Sequence, residues 1–182
     1  MNIEQIHQLF LTHNSVCTDT RKLKKNDLFF ALKGDTFNGN TYANKAIELG
    51  ASYVVVDEHK YATHKNSILV KDVLSTLQDL ARFHRNYLGL KIIALTGSNG
   101  KTTTKELIYA VLSKKQNTVA TTGNFNNHIG VPLTLLSMDT NTEIGIVEMG
   151  ANHQKEIEFL CTIAQPDFGY ITNFGKAHLE GF

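Results

Sequence analysis

The hydrophobic positions of this chain fall into two successive patterns of strands and helices. Ile3, Ile6 and Phe10 recur at helical spacing and predict a first amphipathic helix. Residues 27–32 (DLFFAL) follow as a strand and residues 37–41 (FNGNT) as a turn. Residues 43–49 are helical in character and stop at Gly50, a residue type common just past a helix end. Residues 52–56 (SYVVV) are β-branched and apolar, which predicts a buried strand. Val73, Leu77, Leu80, Ala81 and Leu88 then trace a longer helix that ends near Gly89.

A second pattern starts at Lys91. The short apolar run 92–95 (IIAL) leads into a glycine-containing turn and a helix over 102–112. Residues 145–149 and 168–172 predict further strands, separated by a helical segment over 156–163. Strands alternating with helices imply a parallel sheet wound right-handedly. Ligands of such sheets sit at the carboxyl ends of the strands, and Thr96, Glu148 and Asn173 fall at or just past those ends. The fold class is therefore α/β: a small unit over residues 1–89, then a parallel-sheet unit over residues 90–182.

Composition narrows the function classes. Of 182 residues 42% are apolar, enough for a core, and the net charge is +1, which argues against a broad nucleic-acid or membrane-surface footprint. The first residues lack the basic start and apolar stretch of a signal peptide, and no apolar run approaches the roughly 18 residues of a membrane span. Cys17 and Cys161 lie far apart and form no CxxC pair; reduced, packed thiols are expected, as in a cytoplasmic protein. The final residues, Leu179 to Phe182, follow a polar cluster with no closing helix, which suggests a piece of a longer chain.

Residues 96–103 (TGSNGKTT) carry the strongest chemical signal. A phosphate loop needs small residues, so that successive backbone N–H groups converge on phosphate oxygens. A helix start behind it adds the positive end of a dipole. It also needs a lysine for the β/γ-phosphates and a hydroxyl for Mg²⁺. Gly97, Ser98, Asn99, Gly100, Lys101, Thr102 and Thr103 supply all of these between a strand and a helix. The strict GxxxxGK[ST] pattern is not met, because residue 95 is Leu. A glycine-rich turn with a surface lysine is the duller alternative.

ALTGSNGKTTTKE resembles the short phosphate loop of the Mur ligase family, in which TGxxGKT replaces the strict motif. Residues 122–133 (TGNFNNHIGVPL), 148–153 (EMGANH) and 171–180 (ITNFGKAHLE) are similar to segments of the branch that joins D-alanyl-D-alanine to UDP-N-acetylmuramoyl-tripeptide. Residues 18–21 (TDTR) and 28–34 resemble the family's SDSR and LFxALxG elements more loosely. Asn38-Gly39-Asn40 stands where the family pattern has Asp-Gly-His, and Lys155 where glycine is common; the latter is expected only to alter a helix start.

The resemblance implies a cytoplasmic, monomeric ATP- and Mg²⁺-dependent amide ligase of peptidoglycan precursor synthesis. Residues 1–89 would be its UDP-sugar-substrate domain, and residues 90–182 the first part of its central ATP-binding domain. ATP would phosphorylate the tripeptide carboxylate, and the dipeptide amine would attack the resulting acyl phosphate. Two anions must approach each other, so cations and oriented dipoles are needed at the transferring group. Lys101 and the amides of residues 97–102 would hold ATP, Thr102 and Glu148 would hold a first Mg²⁺, and His178 a second metal. The family also requires a carbamylated lysine and a dipeptide-binding domain beyond His178, so residues 1–182 alone are expected to form no amide bond.

Duller roles stand beside these. Glu148 would otherwise cap a strand or pair with a lysine, and His178 would be a surface or packed histidine. Asn126 (substrate) and Asn127 (nucleotide) would otherwise only shape the turn before the helix at Pro132. Thr20 and Arg21 would contact the UDP-sugar, or else Arg21 would form a loop salt bridge. Two other functions remain: another Mur-type or folylpolyglutamate-type amide ligase, against which the GNFNN segment weighs, and a non-catalytic nucleotide-binding module, against which the set Lys101, Thr102, Glu148 and His178 weighs.

Overall fold

A computed structural model describes residues 1–13 and 15–175. The chain divides into two compact units, Met1–Phe83 and His84–Phe182.

The first unit opens with helix α1 (Ile3–Leu11). Asn2 caps it by accepting from Gln5 N at 2.9 Å, while the Gln5 side chain accepts from Asn2 N at 3.0 Å. This reciprocal pair satisfies two amides that the first helical turn leaves without partners. Strands β1 (Val16–Cys17) and β2 (Leu28–Phe30) follow, then a short hairpin of β3 (Lys33–Gly34) and β4 (Phe37–Asn38). A 3₁₀ turn (Gly39–Tyr42) leads into α2 (Ala43–Glu48), β5 (Tyr53–Val56), β6 (Ser67–Leu69) and α3 (Val73–Leu88). The sheet order is β1-β2-β5-β6, every pair parallel. Phe29, Val54 and Val56 pack with Ala43 and Ala46 of α2 on one face. Leu28, Phe30 and Val55 alternate to the other face and are equally buried. Two covered faces account for the unbroken apolar runs in these strands.

The second unit is a βα array: β7 (Lys91–Thr96), α4 (Lys101–Leu112), β8 (Thr118–Ala120), α5 (Gly130–Leu135), β9 (Ile144–Glu148), α6 (Glu156–Ala164) and β10 (Phe168–Ile171). Its sheet is separate, ordered β10-β7-β9-β8 and wholly parallel. The chain leaves β7 in one direction, towards β8, and returns past it from β9 to β10. Right-handed crossovers therefore put α4 on one face and α5 with α6 on the other, where these two pack together. The reversal occurs at the carboxyl ends of β7 and β9, the crevice in which ligands of such sheets bind. At the amino end of β9, a Cβ on Gly145 would lie 2.5 Å from Ile92 Cδ1 and 2.6 Å from Met138 Cε, so those side-chain ends would have to shift.

The units divide within α3, earlier than the 89/90 junction expected from sequence. The reason lies in the last turn of that helix. His84 Nε2 is hydrogen-bonded to Met138 O at 2.9 Å, and the Arg85 guanidinium binds Gln165 O at 3.0 Å and Asp167 Oδ2 at 2.9 Å. Strand 27–32 is shorter than expected because the chain turns after Phe30 into the β3–β4 hairpin. Strands β1, β6 and β8 escape a sequence reading because two or three residues are too few to display an alternation.

Candidate functional site

The second unit carries a loop between β7 and α4 whose backbone is unusual. Gly97 has φ +135° and Gly100 φ +77°, both in the region that disfavours side chains. Gly100 occupies the N-cap of α4 with no capping side chain, so the first amides of that helix receive no partner from it. A Cβ at Gly97 would lie 2.1 Å from Thr172 Oγ1. The loop is also pinned from the end of β10. Thr172 Oγ1 donates to Asn99 O at 2.6 Å, Asn99 N donates to Asn173 Oδ1 at 3.0 Å, and Ser98 Oγ donates to Gly175 O at 3.0 Å. The result is a fixed turn that presents backbone N–H groups at a helix start, the geometry of an anion cradle.

Lys101 folds back over this loop, and its ammonium donates to Gly97 O at 2.6 Å. Thr102 Oγ1 donates to Glu148 Oε2 at 3.0 Å, and Asn126 Nδ2 donates to Glu148 Oε1 at 3.0 Å. These groups meet because β7 and β9 are paired with Leu95 opposite Glu148, and Met149 N donates to Leu95 O at 2.8 Å. Glu148 is 2% exposed, and both of its oxygens are met by neutral donors. No lysine pairs with it among the described residues, which removes the duller ion-pair role. A buried carboxylate with only neutral partners is a costly arrangement, and it offers an unneutralised charge beside a hydroxyl.

The other residues singled out from sequence divide in two. Asn127 shapes the chain, since its Oδ1 accepts from Ile129 N at 3.1 Å and Gly130 N at 2.9 Å. Thr103 lies exposed in the first turn of α4. Asn126 and Asn127 line a cavity of about 700 Å³ together with Lys101, His128 and Lys155. His178 lies outside the described residues. Lys155 has φ +66° at the N-cap of α6, so the departure from glycine there places a side chain in a left-handed conformation.

In the first unit Arg21 makes the loop salt bridge. Its Nη2 donates to Asp19 Oδ2 at 2.7 Å and its Nε to Asp19 Oδ1 at 2.9 Å, with the side chain 87% exposed. Those hydrogen bonds hold the Asp19 carboxyl down to about 2. Thr20 and Arg21 also line a cavity of about 440 Å³ with Phe29, Phe37 and Tyr42. The rings of Phe37 and Tyr42 stack with centroids 5.5 Å apart, a flat apolar wall that the sequence reading missed. Asn40, where the family pattern has His, is buried and donates to Asp57 Oδ1 at 2.8 Å, so it supports the fold locally. Cys17 and Cys161 are both free thiols, and burial raises both.

Two family models match the chain, "Mur ligase family, catalytic domain" over residues 12–85 and "Mur ligase middle domain" over residues 95–182. The chain belongs to the Mur ligase family. It is 46% identical over 169 residues to the UDP-N-acetylmuramoyl-tripeptide–D-alanyl-D-alanine ligase of Bacillus subtilis, covering 92% of this chain and 37% of that protein. The Escherichia coli ligase of the same name is 40% identical over 172 residues, covering 94% and 38%. Among solved structures, MurF from Acinetobacter baumannii superposes with a TM-score of 0.87 at 34% identity, covering 98% of this chain and 42% of that one. MurF ligase from Thermotoga maritima in complex with ADP gives 0.83 at 33% identity, covering 94% and 39%. The chain thus spans less than half the length of these Mur ligases. No helix among the described residues is long and apolar enough to cross a membrane.

The cradle at residues 97–102 fits a nucleotide polyphosphate, because Gly100 gives the first amides of α4 no side-chain cap and Gly97 leaves no room for a Cβ. Thr102 Oγ1 and Glu148 Oε2 are hard oxygen donors that suit Mg²⁺, which takes one or two protein ligands and completes its shell with water and phosphate. Among the described residues no group of three or more His, Cys, Asp or Glu is placed to hold a metal.

Proposed function

We propose that this chain provides the ATP-binding loop and the UDP-sugar-binding unit of a cytoplasmic, Mg²⁺-dependent ligase. The ligase would join D-alanyl-D-alanine to UDP-N-acetylmuramoyl-tripeptide and would act as a monomer. The observation that carries this reading is the Thr102–Glu148 contact beside the Gly97–Lys101 loop, since it sets a hydroxyl and a carboxylate where the cation of a nucleotide would sit.

In this reading Lys101 exchanges Gly97 O for the β- and γ-phosphate oxygens. The amides at the start of α4 donate to the remaining phosphate oxygens, and Asn126 keeps Glu148 aimed at Thr102. Mg²⁺, when bound there, would neutralise charge on the phosphates and lower the repulsion between them and the substrate carboxylate. His178 would hold a second cation. In the first unit, the Phe37–Tyr42 wall would take the face of a nucleobase, with Thr20 and Arg21 at the rim of the same cavity.

The test joins this chain to the C-terminal remainder of the Bacillus subtilis relative and follows product by mass spectrometry. ATP-dependent formation of the UDP-linked pentapeptide from D-alanyl-D-alanine is expected, with none from residues 1–182 alone. A product formed instead with a single L-amino acid or with glutamate on a folate would move the chain to another amide ligase. Nucleotide binding without any acceptor-dependent product would favour a non-catalytic module.

A further inference from the structure

Lys105 is 2% exposed, on the same face of α4 as Lys101 and one turn further on. Its ammonium donates to Thr121 O at 2.6 Å and pairs with Glu106 Oε1 at 2.8 Å, a carboxylate that is itself mostly in water. Burying an ammonium is costly unless its hydrogen bonds are replaced. A leucine or methionine would fill the same space without that cost, so the charge must hold something in place.

What it holds is the end of an edge strand. The β8–β9 ladder stops at Ala120 opposite Ile146, and Thr121 N still donates to Ile146 O at 2.9 Å. Thr121 O lies past the last paired residue and takes its hydrogen bond from Lys105. The hydroxyl of the same Thr121 accepts from Glu148 N at 3.0 Å and is met by Thr134 Oγ1 at 3.5 Å. The circuit then closes, because Glu148 Oε2 accepts from Thr102 Oγ1 at 3.0 Å, and Thr102 stands three residues before Lys105 on the same helix. One helix therefore touches the Glu148 backbone through Lys105 and Thr121, and the Glu148 side chain directly through Thr102.

We infer that Lys105 is a positioning residue which, acting through Thr121, fixes the Glu148 carboxylate opposite Thr102 for the divalent cation that accompanies a bound nucleotide. This rests on the nucleotide reading given above. Mg²⁺ tolerates little departure from octahedral geometry, so a carboxylate free to shift would lose the cation before the loop lost the phosphates. Lys105 touches neither phosphate nor cation, and its effect is confined to where Glu148 stands.

The experiment uses the 182-residue chain with Lys105→Met, Thr121→Val and Thr121→Ser, and reads two quantities. Amide hydrogen exchange compares Glu148 N–H with Met149 N–H, whose partner Leu95 O lies outside the circuit. Calorimetry measures ADP affinity with Mg²⁺ and with a chelator. In Lys105→Met and Thr121→Val, exchange at Glu148 should quicken while Met149 keeps its rate. The gain in ADP affinity that Mg²⁺ provides should fall by about tenfold or more, with metal-free ADP affinity unchanged. Thr121→Ser, which restores the hydroxyl, should behave as the unaltered chain. Equal quickening at both amides, or a magnesium gain that survives in Lys105→Met, overturns the inference. If Lys105→Met does not fold, Thr121→Val against Thr121→Ser decides it. Absence of ADP binding by the unaltered chain would sink the nucleotide reading instead, and the exchange comparison would still decide the role of Lys105.

Discussion

The Thr102 hydroxyl donates to Glu148 Oε2 at 3.0 Å, joining the first turn of α4 to the last residue of β9. Neither residue is near the other in sequence, and their meeting follows from pairing β7 beside β9. Replacing Glu148 by Gln keeps the shape and removes the charge. A buried carboxylate with neutral partners contributes little to stability, so Glu148→Gln should melt at or slightly above the temperature of the unaltered chain. The Mg²⁺-dependent gain in nucleotide affinity should fall by about tenfold or more. Melting curves beside titrations with and without Mg²⁺ check both halves.

The shape of the loop depends on Gly97. Gly97→Ala adds a Cβ at φ +135° and drives it to 2.1 Å from Thr172 Oγ1. A cost of about 1–3 kcal/mol is expected in denaturant unfolding, with nucleotide binding lost. Gly169→Ala is the control, because a Cβ there has no neighbour within 4 Å, and its stability should stay near that of the unaltered chain.

How much of this was legible in the sequence depends on the range of each interaction. The turn at residues 97–100 was visible because its requirements are local: small residues, GKTT and a strand before it. Lys105 was not, since a lysine four residues after Lys101 on a helix reads as a solvated charge until β8 is placed against it. Arg21 was ambiguous for the opposite reason. Its partner Asp19 is only two residues away, yet sequence cannot say whether the guanidinium turns inward to it or outward to a ligand. The Phe37–Tyr42 stack needed the 3₁₀ turn between those residues, which no periodicity announces. The break between units inside α3 was hidden because helical periodicity runs unbroken to Leu88, while the hydrogen bonds of His84 and Arg85 are non-local.

Lys155 offers a stabilising change. Its φ of +66° costs a non-glycine residue about 1–2 kcal/mol, and glycine returns about 0.4–1 kcal/mol of that through the entropy of the unfolded chain. Lys155→Gly should therefore raise stability by about 0.5–1 kcal/mol, seen as a higher urea midpoint with an unchanged slope. A lower midpoint would mean that the lysine side chain contributes more than its backbone costs.

His84 gives the pH dependence a sign. Burial lowers its pKa, against an opposing hydrogen bond to Met138 O and the charge of Asp139. Below about 6.5 the unfolded chain takes up a proton that the folded chain refuses. Stability should therefore fall as pH drops through the sixes and level off below the folded value. His84→Gln removes that titration, so its stability should fall less steeply between pH 7 and pH 5. Parallel slopes for the two proteins would contradict the assignment.

The central claim is that residues 97–102 hold a nucleotide polyphosphate with Lys101 on its phosphates. Its most direct test is a calorimetric titration of the chain and of Lys101→Ala with ADP and Mg²⁺, beside melting curves of both without nucleotide. The account predicts saturable binding by the unaltered chain, weakened by about tenfold or more in the variant through loss of a charge-assisted hydrogen bond. It also predicts melting that changes by no more than the ~0.5 kcal/mol of a surface substitution, since among the described residues the Lys101 ammonium hydrogen-bonds to Gly97 O. Equal ADP affinity in the two proteins, with both folded, would contradict it.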